Sequence, residues 1–443
     1  MIDRETFGTL TADYVTLGCK LNFAETSTVA RLMADHGISR VHAGDCADIV
    51  VVNTCSVTAE ADKKCRQAIR HAARRHPGAA IIVTGCYAQL RPDEVAAIPG
   101  VVIVAGNDRK GLLTEYLDNW LAQRRARSYV TPADDITSFT PSCSRGDRTR
   151  YFLKVQDGCD YRCSYCTIPM ARGRSRSASI AEIVGQAREV AAEGGREIVI
   201  TGVNIGDFGR RAGHGETFFD LCRALDEVDG IERYRISSIE PNLLTDPLIE
   251  WLAGESQRFM PHFHIPLQSG SDAVLRLMGR RYTTELFRHK IEEIRRLIPD
   301  AFIGVDLITG ARGETPELFE ASREFVDSLD ISRLHVFPYS ERRGTRALGL
   351  DAFVVPEAEK HRRARAMIAL SEAKLRRFSE RFTGAVRPVL LEHIADDGSV
   401  AGFTDNYLRV ELPDAAGHAS GDIVGVRLGK PLGNGDMAGE VAV

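Results

Sequence analysis

Three cysteines within eight residues, Cys159, Cys163 and Cys166, constrain this chain more than any other feature. They sit in Gln156-Asp157-Gly158-Cys159-Asp160-Tyr161-Arg162-Cys163-Ser164-Tyr165-Cys166, a C-x3-C-x2-C spacing directly after a short apolar run at 151–155 that reads as a strand. A structural zinc site wants a fourth ligand from a matching pair, and no such pair lies nearby. Ferredoxin loops run at other spacings and supply four cysteines. Three thiolates on one loop can hold three corners of a [4Fe–4S] cube and leave the fourth iron open. The plainer reading, three structural thiols clustered by chance, makes a coincidence of the spacing and the position after a strand.

The surrounding pattern is a β/α series. Apolar runs at 151–155, 197–201, 233–238, 262–267, 302–307 and 333–337 alternate with helical patterns. Six such units fit a partial, open (β/α) barrel better than a complete eight-fold one, and active sites of such barrels lie on the loops after the strands. An earlier series has strands at 13–17, 48–53, 79–84 and 101–105, with amphipathic stretches near 24–36, 59–76 and 91–97; this predicts a parallel sheet covered by helices. Between the two series, 124–150 is polar and holds two prolines, the composition of a linker. After a long basic helix at 356–381, short runs at 386–394, 399–404, 407–412, 422–428 and 437–443 suggest a small β-barrel. The expected division is 1–123, linker 124–150, barrel with trailing helix 151–380, and 381–443.

With 44% hydrophobic and 27% charged residues over 443, the chain can bury sizeable cores in two or three domains. No apolar stretch is long enough for a membrane span, and the N-terminus lacks the apolar segment of a signal peptide. The cytoplasm is the expected location. The net charge of −4 points to no particular partner, but two stretches are locally basic. Residues 145–176 hold eight basic and three acidic side chains, and 360–381 hold eight and two. Such stretches either bind an anionic polymer or form solvated helix faces. The last domain, with four Lys/Arg against nine Asp/Glu after residue 381, is acidic.

Three of the other seven cysteines share one structural position. Cys19 in Leu17-Gly18-Cys19, Cys55 in Asn53-Thr54-Cys55 and Cys86 in Thr84-Gly85-Cys86 each follow a strand of the first sheet. Ligands of open α/β sheets gather beyond the carboxyl ends of the strands, so three thiols can converge there on a second metal centre. A lone buried cysteine would be a core residue by default.

An open iron can chelate the amino and carboxylate groups of S-adenosylmethionine (SAM), beside which one electron cleaves a carbon–sulfur bond. The Cys159 loop, with Tyr165 at the aromatic position before its last cysteine, resembles the radical SAM superfamily. Strand-end residues match its cofactor contacts more loosely: Gly202 and Asn204 after the second strand, Ser238 and Glu240 after the third, Gln268 after the fourth, and Glu314 in Gly310-Ala311-Arg312-Gly313-Glu314-Thr315 after the fifth. A turn or helix cap explains each of these equally well taken singly.

The whole chain resembles the methylthiotransferases. That resemblance implies an N-terminal domain with a [4Fe–4S] cluster on Cys19, Cys55 and Cys86, a SAM cluster on Cys159, Cys163 and Cys166, and a C-terminal TRAM β-barrel. Cys46, Cys65, Cys143 and Cys222 match no ligand position. Gly18-Cys19-Lys20-Leu21-Asn22 and Gln156-Asp157-Gly158-Cys159 look like the branch that adds a methylthio group to C2 of N6-threonylcarbamoyladenosine at position 37 of tRNA, beside the anticodon. The isopentenyladenosine branch usually has Gln-Met after the first cysteine, and the branch acting on a ribosomal-protein aspartate has Pro-Lys. Arg312 departs from the family's usual Gly-Phe-Pro-Gly-Glu-Thr. The implied cofactors are two [4Fe–4S] clusters and SAM; the implied partners are the tRNA anticodon loop, a reducing electron donor and a sulfur source, with no membrane. The target C–H bond carries no acidic proton, so no catalytic residue is assigned beyond the cluster ligands. Tyr407, Arg409 and Phe403 are candidate RNA contacts in the last domain. The rival readings are the two other branches, a radical SAM enzyme of another class whose first domain is only a scaffold, and a metal-bearing RNA-binding protein without activity.

Overall fold

A computed structural model describes residues 10–442 apart from Asp147, Ala212 and His214. The N-terminal stretch from which the lack of a signal peptide was read, residues 1–9, lies outside the described residues. Among the described residues no helix is long and apolar enough to cross a membrane.

The first sheet is parallel throughout, in the order Ser39–Arg40, Thr11–Thr16, Ile49–Thr54, Ala80–Gly85, Val101–Ala105, Arg127–Tyr129. Every residue of its two central strands is buried, as expected where helices cover both faces. Residues 124–150 are therefore not a plain linker. Arg127–Tyr129 adds an edge strand to this sheet, and Ser142–Cys143 pairs antiparallel with the first barrel strand. Polar composition hid both strands because each is short and exposes much of its length or lies at a sheet edge.

The second unit is two blocks of three parallel strands. Arg150–Lys154, Glu197–Thr201 and Arg233–Ile236 form one; His262–Gln268, Phe302–Thr309 and Arg333–Pro338 form the other. Single bridges, Tyr234 to Phe259 and Ser238 to His264, join them, giving an open six-unit barrel. Between its first and last strands the barrel stays unclosed. Helix Lys20–Asp35 of the first domain packs on this side, with Phe23 and Ala24 against Phe152 and Val199.

Helix Glu357–Glu380 packs along Arg333–Pro338 and leads into a closed five-strand barrel. Closure comes from Val386–Ile394 pairing with both Val400–Thr404 and Ile423–Pro431, which removes the free edges. Alternating residues of Ile423–Pro431 turn inward onto Val389, Leu391, Val410 and Met437. This small barrel docks at the amino ends of the large barrel's strands. Arg233 donates to Pro388 O (2.9 Å) and Phe403 O (3.2 Å), and Arg235 to Thr404 O (2.8 Å) and Asp405 O (2.7 Å). Glu197, 2.8 Å from Arg235, supplies the counter-charge.

Candidate active site

Each of the three barrel thiols lies at the carboxyl end of the first strand and accepts an N–H. Tyr161 N reaches Cys159 Sγ at 3.3 Å, Ile168 N reaches Cys166 Sγ at 3.4 Å, and the Arg280 guanidinium reaches Cys163 Sγ at 3.1 Å. Donors aimed at every sulfur suit metal-bound thiolates, whose potential such bonds tune. Burial pushes the thiols of Cys159 and Cys166 up to about 12, and neighbouring thiols add to the effect. Only a metal taking up the charge would deprotonate them at neutral pH.

The Cys159 loop is braced by Gln156. Its side-chain nitrogen donates to Gly158 O (2.8 Å) and Ser175 Oγ (2.9 Å), while its oxygen accepts from Val203 N (3.0 Å) and Asn204 N (2.8 Å). The cluster loop is thereby tied to the end of the second strand. Gly202 is required there, since a Cβ would fall 2.9 Å from Gln156 O. Asn204 is buried; its Nδ2 donates to Asp207 (3.1 Å), and its Oδ1 has no partner.

Arg280 joins the other half of the site. Besides Cys163 it contacts the hydroxyl of Tyr165 (3.5 Å) and pairs with Glu240. Burial raises the Glu240 carboxyl and Arg280 opposes the rise. Arg280 also donates to the Tyr282 hydroxyl (3.1 Å), which donates to Leu267 O (2.8 Å), the residue before Gln268. Gln268 has a left-handed φ of +68° at a register shift in its strand; such a bulge re-aims a side chain. Ser238 lies at the bridge between the two strand blocks. Tyr165, Gly202, Asn204, Ser238, Glu240 and Gln268 therefore border one end of the barrel.

Glu314 does not join them. Its carboxylate is buried, pairs with Arg363 at 2.7 Å and accepts from Gly310 N at 2.7 Å. It fixes the turn after the fifth strand onto the long helix. Arg312, the departure from the family pattern, is held by Glu341 at 2.7 Å.

The first-domain thiols also converge. Gly18 and Gly85 both have left-handed φ values, +107° and +95°. A Cβ on Gly18 would lie 2.7 Å from Cys55 Cβ, and one on Gly85 would lie 2.4 Å from Thr54 O. Glycine at both positions lets the turns bearing Cys19 and Cys86 close around Cys55. Burial pushes the Cys55 thiol up to about 12, with Cys86 and Cys19 adding to the rise. Among the described residues no three His, Cys, Asp or Glu are placed to hold a single metal ion. Thiols that each bind a different iron of a cube stand farther apart than ligands sharing one ion.

Beside these thiols lies a buried ionic network with no local signature in the sequence. Glu25 pairs with Lys110, with Lys154 (2.9 Å) and with Arg172 (2.9 Å); Asp157 pairs with Lys154 (2.8 Å), Arg172 (3.0 Å) and Arg176 (3.1 Å). Four cations face two carboxylates. Arg172 also donates to Asn22 Oδ1 (2.8 Å), three residues after Cys19, and the charges of Arg172 and Lys110 act on Cys19 and Cys86. Two excess positive charges, with three of the four cations buried, call for an anionic neighbour. A [4Fe–4S] cluster on three thiolates is such an anion, so the residues fit the group. Lys154, Arg172 and Arg176 belong to the basic stretch 145–176. Part of that stretch is therefore internal: Lys154 and Arg172 are buried, Arg176 is half-buried, and Arg145 pairs with Glu189 and with Glu193 (2.7 Å), while Arg148, Arg162 and Arg174 are exposed.

The last-domain contacts also differ from expectation. Tyr407 stacks against His262 (4.0 Å between rings) and Phe403 lies under Arg150 (4.1 Å), so both face the large barrel instead of RNA. Arg409 is exposed and paired with Glu411 (3.3 Å) and Asp436.

Residues 11–106 match the model of an uncharacterized protein family, UPF0004, and residues 153–326 match the radical SAM superfamily. The chain is 38% identical over 413 residues to the threonylcarbamoyladenosine tRNA methylthiotransferase MtaB of Bacillus subtilis, covering 90% of each protein. It therefore belongs to the radical SAM methylthiotransferase family. A Streptomyces viridosporus tRNA-2-methylthio-N(6)-dimethylallyladenosine synthase is 35% identical, with 82% of this chain and 73% of that protein covered. Among solved structures, the radical SAM methyltransferase TsrM of Kitasatospora setae shares the fold, with a TM-score of 0.55 at 16% identity over 86% of this chain and 78% of that one. As a radical SAM methylthiotransferase the chain is an enzyme that uses an iron–sulfur cluster and SAM.

Proposed function

We propose that this enzyme adds a methylthio group to C2 of N6-threonylcarbamoyladenosine at position 37 of tRNA, using two [4Fe–4S] clusters. The observation that supports it most is a shared helix. Lys20–Asp35 starts at Cys19, inserts Phe23 and Ala24 into the open side of the barrel, and carries Glu25 to the cations behind the Cys159 loop. This helix thus joins the Cys19 triad to the barrel that carries the Cys159 triad. In this division 1–123 carries the auxiliary cluster, 151–380 the SAM cluster and 381–443 the TRAM barrel. The Bacillus subtilis relative acts, by its name, on threonylcarbamoyladenosine, and Gly18-Cys19-Lys20-Leu21-Asn22 agrees with that branch.

Cys159, Cys163 and Cys166 would hold the SAM cluster, and Cys19, Cys55 and Cys86 the auxiliary one. The SAM-bound cluster supplies, on one-electron reduction, a radical able to take hydrogen from an unreactive C–H bond. Arg280 orients Cys163, Tyr165 and Glu240 around the cofactor, and Gln156 holds the cluster loop against Gly202 and Asn204. Phe23, Ala24, Phe152 and Val199 exclude water from the side. The reaction consumes electrons and sulfur, so a reducing electron donor and a sulfur source are partners alongside tRNA, and the cytoplasm is where these meet. The test is anaerobic: reconstituted enzyme, reductant, SAM and tRNA lacking the methylthio group, followed by nucleoside mass analysis. The expected product is 2-methylthio-threonylcarbamoyladenosine. Modification of isopentenyladenosine instead, or deoxyadenosine release with no altered nucleoside, refutes the assignment.

A further inference from the structure

Among the described residues the last barrel strand, Arg333–Pro338, pairs on one side only. Alternation places Arg333, His335 and Phe337 on one face and sends Leu334 into the core. In a closed barrel the next strand would help to cover Phe337; here it is 47% exposed. Two further exposed apolar side chains line the same groove: Ile368 (43%) from the long helix and Leu432 (38%) from the small barrel. The groove encloses about 440 Å³, within the range of small-ligand clefts. Three separate units thus build one cleft.

Its charges are positive. Arg333 and Arg376 line it, both exposed and without an ion pair among the described residues, against one acid, Glu372. Two other cations of the long helix are used internally. Arg363 is buried against Glu314, and Lys374 donates to Asp327 O and Leu329 O. The inner wall of the groove is His335, whose ring lies 5.0 Å from His264, itself bonded to Asp306 at 2.7 Å. Through His335 the groove borders the inner face of the barrel.

We propose that this groove holds single-stranded RNA nucleotides flanking the target adenosine, with a base stacked on Phe337 and phosphates on Arg333 and Arg376; the inference rests on the tRNA reading above. An exposed aromatic between unpaired arginines is the recurring platform for unstacked RNA, whereas the core of a protein interface is depleted of charge.

The test is anisotropy of a labelled anticodon stem-loop RNA titrated with the reconstituted full-length enzyme. Phe337→Ala should weaken binding at least about five-fold, the lower end for one lost base stack, and Phe337→Tyr should restore it. Arg333→Gln and Arg376→Gln should each lower the slope of log affinity against log salt by about 0.7. Arg188→Gln, an exposed arginine of the helix Ile180–Ala192, serves as the charge control and should leave the slope unchanged. Wild-type tRNA modification is measured in parallel. If the wild type modifies tRNA while the Phe337 and arginine variants bind like it, the groove assignment alone falls. If these variants change sedimentation but not RNA affinity, the groove covers a second protein surface and the assignment also falls. A wild type that neither binds nor modifies tRNA overturns the reading beneath it.

Discussion

Replacing Glu25 with Gln should be among the most damaging single changes in this protein that touch no cysteine. The carboxylate is 3% exposed and contacts Lys110, Lys154 and Arg172. Gln keeps the volume but removes the charge, so four cations, three of them buried, would face Asp157 alone. Breaking a buried pair by removing one partner costs about 3–5 kcal/mol, a large part of the roughly 5–15 kcal/mol that holds a domain together. At roughly 2–4 °C per kcal/mol, the melting midpoint should fall by about 10 °C. The deficit should be larger in cluster-free protein, where no anion on Cys19, Cys55 and Cys86 offsets the cations. Burial pushes the Glu25 carboxyl up, but Arg172, Lys110 and Lys154 outweigh it and hold the carboxyl well below 4.5. Its stabilisation is therefore complete above the unfolded carboxylate range and lost as pH falls through the depressed folded value. The wild-type advantage should stay constant from neutral pH to about pH 5 and shrink in stronger acid. Thermal denaturation followed by circular dichroism, with and without clusters, measures this. A Gln variant melting within about 2 °C of wild type in both forms, under the same conversion, would show that the network is not the junction described here.

Other perturbations separate the two thiol sites. Cys159→Ala and Cys55→Ala should each lower iron from about eight to about four per chain, as expected for two four-iron clusters, and Cys46→Ala should leave iron unchanged. Gly18→Ala puts a Cβ 2.7 Å from Cys55 Cβ at a φ of +107°; auxiliary iron should be lost with the barrel cluster retained, read by Mössbauer spectroscopy. Burial and the charge of His264 push His335 down to about 4 from 6.5. Neutral His335 thus stabilises the fold above pH 6.5 and loses that contribution as pH falls towards 4, so His335→Gln should flatten the melting midpoint across that window.

Most of the strands, and the gathering of two cysteine triads at strand ends, were legible because each rests on a local signal: an apolar run, then a glycine or loop, then a thiol. What stayed hidden depends on distance along the chain. Lys154 and Arg172 read as part of a basic surface stretch, and only the fold brings Glu25 and Lys110 to them, 129 and 147 residues from Glu25 for the first two. Arg280 lies 117 residues after Cys163, in a polar turn with no motif. Glu314 was read as a ligand because it follows a strand; a partner 49 residues on turns it inward. Tyr407 and Phe403 looked like RNA contacts by residue type, yet the docking of the small barrel decides which way they face.

The open barrel and the auxiliary domain explain one another. The six strands do not close, so the face between Arg150–Lys154 and Arg333–Pro338 must be covered or put to use. On the first-strand side the cover is helix Lys20–Asp35, whose first turn follows Cys19 and whose second carries Glu25. This helix starts at Cys19 and also fills the barrel; its first two turns are fixed by Asn22 donating to Leu17 O (2.7 Å) and Thr54 O (3.1 Å) and by Glu25 meeting Arg172, and its later part by Arg31 donating to Cys143 O (3.0 Å). Relative placement of the two thiol triads is then a property of one rigid element, not of the polar segment 124–150. Lengthening that segment by a few residues beyond its paired strands, at 136–141, should therefore leave both clusters and product formation intact, whereas a proline at Ser27, mid-helix and hydrogen-bonded to Arg145 N (3.0 Å), should abolish product while each domain still binds iron. Equal loss from both changes would mean that the linker, and not the helix, sets the geometry.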